Sequence, residues 1–164
     1  MLKTRVSNSL FLIMKKNEVL VLEAFDTTLE GYGVTRHSDL VIFVRGLLKG
    51  EKARVKVIKT YKNYAIALIE ELLVTSLKRV TPVCEYNLKC GGCCLGHLEY
   101  EEQLALKKHY LECLLIKNGL DLAVKDTVAS IPNLRFRNKV QVPVKNGKLG
   151  FYRAHSHDIV EARD

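Results

Sequence analysis

Between residues 18 and 73 the apolar positions come in short runs broken by glycine-bearing turns, the pattern of a small β domain. Val19-Leu20-Val21-Leu22 is the first run. Gly31-Tyr32-Gly33-Val34 turns into a second, and Leu40-Val41-Ile42-Phe43-Val44 is a third. After a break at Gly46 and Gly50, Ala53, Val55 and Val57 alternate with Lys52, Arg54 and Lys56. A period of two buries the first set and presents three cations on the other face. Tyr64 to Glu70 is the fifth run. Five strands with no helix between them predict an OB-like, five-stranded closed barrel, with Leu47-Leu48 plugging one end.

Beyond a connector at 75–82 the pattern changes. From Tyr100 to Lys117, Leu104, Leu106, Tyr110, Leu111, Leu114 and Leu115 fall on one broad arc at 100° per residue, with Lys108, His109 and Glu112 opposite. This predicts a helix that packs through its leucines, stopped by Asn118-Gly119. The same arc makes Cys113 a core residue. Segments 123–130, 136–144 and 149–152 read as strands, the last two joined by an Asn146-Gly147 hairpin turn. The second half is therefore expected to be α+β, with a sheet left incomplete where the chain stops after Ile159-Val160. Residues 1–13 precede a natural start at Met14 and are expected to be a non-native or disordered extension.

Charge sharpens the picture. The 164 residues carry 26 Lys and Arg against 18 Asp and Glu, a net charge of +8. Residues 36–62 hold eight basic side chains against Asp39 and Glu51, and residues 134–153 hold six with no acid. Two basic surfaces point to a polyanion, most simply nucleic acid. Alternation in the second patch places Arg135, Arg137, Lys139 and Gln141 on one face, a comb suited to phosphates and sugar hydroxyls, with Phe151 and Tyr152 nearby to stack on bases. An ordinary strand with a solvated cationic face fits the same alternation. No apolar stretch approaches the roughly 20 residues needed to cross a bilayer, so a cytoplasmic protein without a membrane partner is expected.

Five cysteines in a reducing compartment favour a metal or cluster over disulfides. Cys84, Cys90 and Cys93 lie within ten residues, two of them around Gly91-Gly92. Glycines let backbone N–H groups approach the sulfurs and disperse their negative charge. The trio suits an iron–sulfur cluster, or zinc with His97 completing a Cys3His set, or no metal at all. Cys94, adjacent to Cys93, is expected to be a small buried residue. His155 and His157 have no catalytic partner near them in sequence. There is no phosphate-binding loop, no nucleotide-cofactor glycine motif and no acidic pair set for acid–base work.

Several pieces, in this order, resemble the N-terminal half of the bacterial 5-methyluridine RNA methyltransferases. They are Glu30-Gly31-Tyr32-Gly33-Val34-Thr35-Arg36, Lys49-Gly50-Glu51-Lys52-Ala53-Arg54-Val55, Cys90-Gly91-Gly92-Cys93 with His97-Leu98, Tyr100-Glu101 with Gln103-Leu104, Arg137-Asn138-Lys139-Val140-Gln141 and Gly150-Phe151-Tyr152. The resemblance implies a TRAM RNA-binding barrel at 14–75, a linker and cysteine loop at 76–98, and a partial central domain at 99–164. It implies that Cys84, Cys90 and Cys93 are three ligands of a [4Fe–4S] cluster whose fourth cysteine follows residues 157–160 in the family and is missing from this chain. Cys94 stands where the family usually has glutamine.

The resemblance further implies that S-adenosylmethionine, the catalytic cysteine and the base belong to a domain this chain lacks. The expected protein is thus a truncated, inactive RNA (uracil-C5) methyltransferase. It would be a monomer that binds ribosomal or transfer RNA rather than DNA, through Arg36, Lys52, Arg54, Lys56, Arg135, Arg137, Lys139 and Gln141. The alternatives are a stand-alone TRAM-type RNA-binding protein and a zinc-stabilised adaptor without enzymatic activity.

Overall fold

The computed structural model describes residues 14–161, so the expected extension at 1–13 lies outside the described residues. Six strands make one curled sheet: β1 (Val19–Glu23), β2 (Asp26–Thr27), β3 (Tyr32–His37), β4 (Leu40–Arg45), β5 (Lys52–Thr60) and β6 (Tyr64–Val74). Their order across the sheet is β1-β5-β6-β4-β3-β2, antiparallel except for the parallel β4–β6 pair. All five expected strands form, but the closed five-stranded barrel does not. The sheet is an open, OB-like half-barrel, with β1 and β2 at its two edges.

Those edges belong to one bent stretch of chain. At Ala24 the backbone leaves β5, its N–H donating to Glu51 O at 3.0 Å. At Phe25 it joins β3, donating to Val34 O at 3.0 Å. A two-residue strand such as β2 has no room for an alternating pattern, which is why it is invisible in the sequence.

The alternation along β5 holds. Ala53, Val55 and Val57 are fully buried while Lys52 and Arg54 are exposed and Lys56 half-buried. They pack with Leu22, Ile42, Val44, Ala65 and Ala67, and with Met14, in one core. Leu47 and Leu48 do more than plug an end. Leu47 enters this core, whereas Leu48 points into a second cluster with Leu95 and Leu98, against which Leu106 packs. Adjacent leucines thereby join the sheet to the cysteine loop.

The helix α1 forms over Tyr100–Lys117 as expected. Its end is also as expected: Gly119 has φ +72°, and Leu120 N–H reaches back to Leu115 O at 3.0 Å. Its packing is not. No residue of α1 is buried, and Tyr110, Leu111 and Leu114 are exposed, as is Cys113. Periodicity orients a helix face, but burial requires something opposite, and among the described residues only the N-terminal part of α1 is held. Gln103 donates its amide to Leu98 O at 2.8 Å and Leu95 O at 3.2 Å, which fixes the loop before the helix.

A small antiparallel sheet follows: β7 (Val144–Lys145), β8 (Lys148–Tyr152) and β9 (Ile159–Glu161). The expected Asn146-Gly147 turn joins β7 to β8, both residues at positive φ. The strands read at 123–130 and across 136–143 do not form, and Phe136 and Val140 stand exposed. Alternation supplies faces but not a neighbouring backbone, and no described strand pairs with these segments.

Candidate functional site: a thiol cavity beside a cationic sheet

Glu51 is the hinge of the assembly. It follows Gly50 in the turn entering β5 and is fully buried. Its carboxylate accepts from Leu48 N–H at 2.8 Å, Ser76 N–H at 3.1 Å, and Arg79 Nε and Nη2, both at 2.6 Å. Arg79 Nη2 also donates to Gly46 O at 2.6 Å. Burial alone would raise the Glu51 pKa, but the Arg79 hydrogen bonds and the two amides outweigh it and hold the carboxyl below its usual range. One ion pair therefore clamps the connector onto the sheet. In the sequence Glu51 stands out only as one of two carboxylates in a cationic stretch, within the Lys49-to-Val55 piece of the family resemblance.

The clamp sets the cysteine loop against the sheet. Val80 N–H donates to His97 O, Arg79 and Leu98 form an isolated bridge, and Gly31 meets the loop backbone directly. A Cβ at Gly31, which has φ +77°, would lie 2.1 Å from Cys94 O. On its far side the loop pairs with β8, Gly91 N–H donating to Tyr152 O at 2.8 Å, with a bridge between Cys90 and Arg153.

Cys84, Cys90 and Cys93 line one cavity of about 650 Å³, together with Tyr86, Phe151, Arg135 and Arg137. The Gly-Gly turn does what its composition suggests: Gly92 N–H donates to Cys90 Sγ at 3.2 Å. Burial raises the Cys93 thiol pKa, and the neighbouring Cys84 and Cys90 sulfurs raise it further, while Arg137 opposes them. The three sulfurs therefore share one electrostatic environment, with guanidinium charge beside it. Among the described residues, no three His, Cys, Asp or Glu side chains converge closely enough to hold a metal ion.

The other candidates separate from this cavity. Cys94 is exposed, not buried, and its Sγ donates to Leu29 O at 3.2 Å, away from the trio. His97 does not line the thiol cavity. It is fully buried beside Arg79 and Glu51, with neither ring nitrogen hydrogen-bonded to protein. Burial, and then Arg79, lower its pKa to about 4.

The cations divide as well. Lys52, Arg54 and Lys56 share the outer face of β5, and Arg36 is exposed on β3. Arg54 is paired with Glu71 across the strand. Arg135, Arg137, Lys139 and Gln141 are exposed but lie on no strand, and Arg135 has φ +56°. Arg135 and Arg137 turn toward the thiols.

Sequence reasoning missed an aromatic patch on the outer sheet face. Tyr61 stacks on Tyr64 with ring centroids 4.5 Å apart, Phe43 meets Tyr64 edge-on, and Lys59 Nζ sits 4.8 Å from the Tyr61 ring centre. Val41, opposite Tyr64, is also opposite Arg36, so this patch borders a predicted phosphate contact. The aromatic flanks of the Lys62-Asn63 turn were the available signal.

Among the described residues no helix is long and apolar enough to cross a membrane. Comparison with known proteins agrees with the geometry. Residues 15–69 match the TRAM domain family. A Listeria innocua protein described as an uncharacterized RNA methyltransferase is 42% identical over 154 residues, covering 91% of this chain and 34% of the relative. Proteins of the same description from Staphylococcus epidermidis and Clostridium acetobutylicum are each 39% identical, covering 90% of this chain and 34% of their own length. Residues 15–69 are thus similar to TRAM domains, within a chain that is similar to bacterial proteins described as RNA methyltransferases and spans about a third of their length.

Proposed function

We propose that this chain is the RNA-binding and cluster-holding portion of an RNA (uracil-C5) methyltransferase. The observation that carries the reading is the outer face of the TRAM-like sheet, where Lys59 sits over the stacked tyrosines Tyr61 and Tyr64, Arg36 borders them through Val41, and Lys52 and Lys56 extend the cationic surface further along β5. OB-like sheets bind oligonucleotides on such faces, with cations on phosphates and rings on bases. Arg54 contributes less, because Glu71 already neutralises it. The relatives described as RNA methyltransferases support RNA as the polyanion. The resemblance to the 5-methyluridine enzymes favours uridine in ribosomal or transfer RNA as the target. In that scheme S-adenosylmethionine and the methyl-transfer residues lie in the two thirds of the relatives' length that this chain does not span.

The thiol cavity fits a [4Fe–4S] cluster in its donor chemistry. Cys84, Cys90 and Cys93 would supply thiolates, Gly92 N–H already bonds one sulfur, and Arg135 and Arg137 would balance the cluster's negative charge. A multi-iron group accommodates thiols that stand too far apart for one ion. When bound, it would supply a rigid crosslink that positions the RNA-binding surfaces, not a reaction step.

The test is binding of short RNAs by fluorescence anisotropy across a salt series. Neutralising about four phosphates of a single strand gives a log–log slope of about −3. Affinity that is insensitive to salt would reject the cationic face as the contact surface. Anaerobic reconstitution with iron and sulfide tests the cluster: a brown, iron- and sulfide-containing product is expected, and a product that binds only stoichiometric zinc would overturn it.

A further inference from the structure

A second cavity, of about 800 Å³, opens where the sheet, the cysteine loop and the β8–β9 hairpin meet. Its walls include Tyr32 and Arg45 from the sheet and Phe151, Tyr152, His155 and His157 from the hairpin. Four aromatic or imidazole rings from one hairpin thus face a tyrosine from another unit of the fold.

The walls are tied together. Tyr32 Oη and His155 Nε2 are 2.5 Å apart, and Arg45 Nη2 donates to Cys90 O at 3.2 Å. The ring of His157 meets Tyr152 edge-on at 5.6 Å. The volume lies in the range of small-ligand sites, and one ring system can enter between such walls. Arg45 and Arg153 make the mouth cationic, with Glu30 the one carboxylate lining it.

Strand register connects this cleft to the cationic comb. Tyr32 is opposite Arg45, Arg45 is opposite Leu68, and Leu68 is opposite Lys56. These four outward residues form one row across β3, β4, β6 and β5, about 14 Å long at the usual inter-strand spacing. A nucleic-acid backbone following that row from Lys56 arrives at the cleft beside Arg45.

We propose that the cleft receives one unpaired nucleobase of an RNA strand whose backbone crosses the sheet along this row. The inference rests on the RNA-binding reading above and adds to it the binding of a splayed-out base. Aromatic and imidazole faces stack on any base, whereas a duplex keeps its bases sandwiched and unavailable. The occupant is therefore single-stranded or bulged RNA.

The test uses the full chain, a short single-stranded RNA carrying one 2-aminopurine, and the same RNA paired to its complement. Quenching of 2-aminopurine on binding and tighter binding of the single strand are expected. Tyr152→Ala, at an exposed position, should weaken single-strand binding about tenfold while leaving the salt slope unchanged, and Tyr152→Phe should restore it. Equal affinity for both forms, no quenching and no effect of Tyr152→Ala would overturn the cleft while leaving salt-dependent RNA binding intact. Quenching in the unsubstituted chain stands as support even if Tyr152→Ala misfolds. Failure to bind either RNA would overturn the RNA-binding reading and this inference with it.

Discussion

Replacing Glu51 with alanine should be among the most damaging single changes in this chain. The side chain is fully buried and accepts four hydrogen bonds between 2.6 and 3.1 Å. Glu51→Ala leaves the Leu48 and Ser76 amides without their acceptor. It also leaves the Arg79 guanidinium, only 18% exposed, without a counter-charge. Removing one partner from a buried ion pair costs about 3–5 kcal/mol. Against a typical domain stability of about 5–15 kcal/mol, that is a large fraction.

Urea unfolding followed by far-UV circular dichroism, extrapolated linearly to water, measures the loss. The double variant Glu51→Leu with Arg79→Leu should recover part of it, because removing both charges of such a pair is often near neutral. Recovery stays incomplete because the two amides still lack a partner. The pH dependence supplies a second check. The folded carboxyl ionises below its usual range, so its contribution is complete above about pH 4.5 and disappears as pH falls through the lowered value. A loss below about 1 kcal/mol in Glu51→Ala, or no coupling in the double-mutant cycle, would refute the clamp.

Three further outcomes are expected. His97 stays neutral in the fold down to about pH 4, whereas an unfolded chain protonates it near 6.5, so acidification between those values should remove stability, with a ceiling of about 3 kcal/mol; His97→Leu should flatten that part of a urea-midpoint profile, and an unchanged profile would contradict the assignment. Lys52→Gln combined with Lys56→Gln should make the salt slope of RNA binding shallower by about 1.4, while Arg54→Gln, already paired with Glu71, should do less in the same titration. Gly31→Ala should destabilise by more than about 1 kcal/mol, since the residue combines a left-handed backbone with contact against Cys94 O, and an unaltered thermal midpoint would show that the loop does not press on the sheet there.

What the sequence conveyed, and what it did not, divides by the range of the interaction. The alternation of Lys52, Arg54 and Lys56 with Ala53, Val55 and Val57 is local and was legible, as were the Asn118-Gly119 stop and the Asn146-Gly147 turn. The bond from Gly92 N–H to Cys90 Sγ also follows from near neighbours. The same alternation at 135–141 misled, because pairing depends on a second backbone that the pattern does not encode. The leucine arc of α1 was real as periodicity and wrong as burial. The joining of Arg79 to Glu51, and of Arg135 and Arg137 to the thiols, spans tens of residues and left no periodic trace.

The Leu47-Leu48 step has a practical consequence for anyone cutting this protein into parts. The match to TRAM domains ends at residue 69, yet Leu48 lies against Leu95 and Leu98, and Glu51 needs Ser76 and Arg79. The smallest cooperative folding unit therefore runs to at least Leu98, and to Gln103 if its amide is to hold the loop carbonyls. An excised 15–69 peptide would expose a leucine and strand a carboxylate, and would report on a damaged half-barrel instead of a free-standing module.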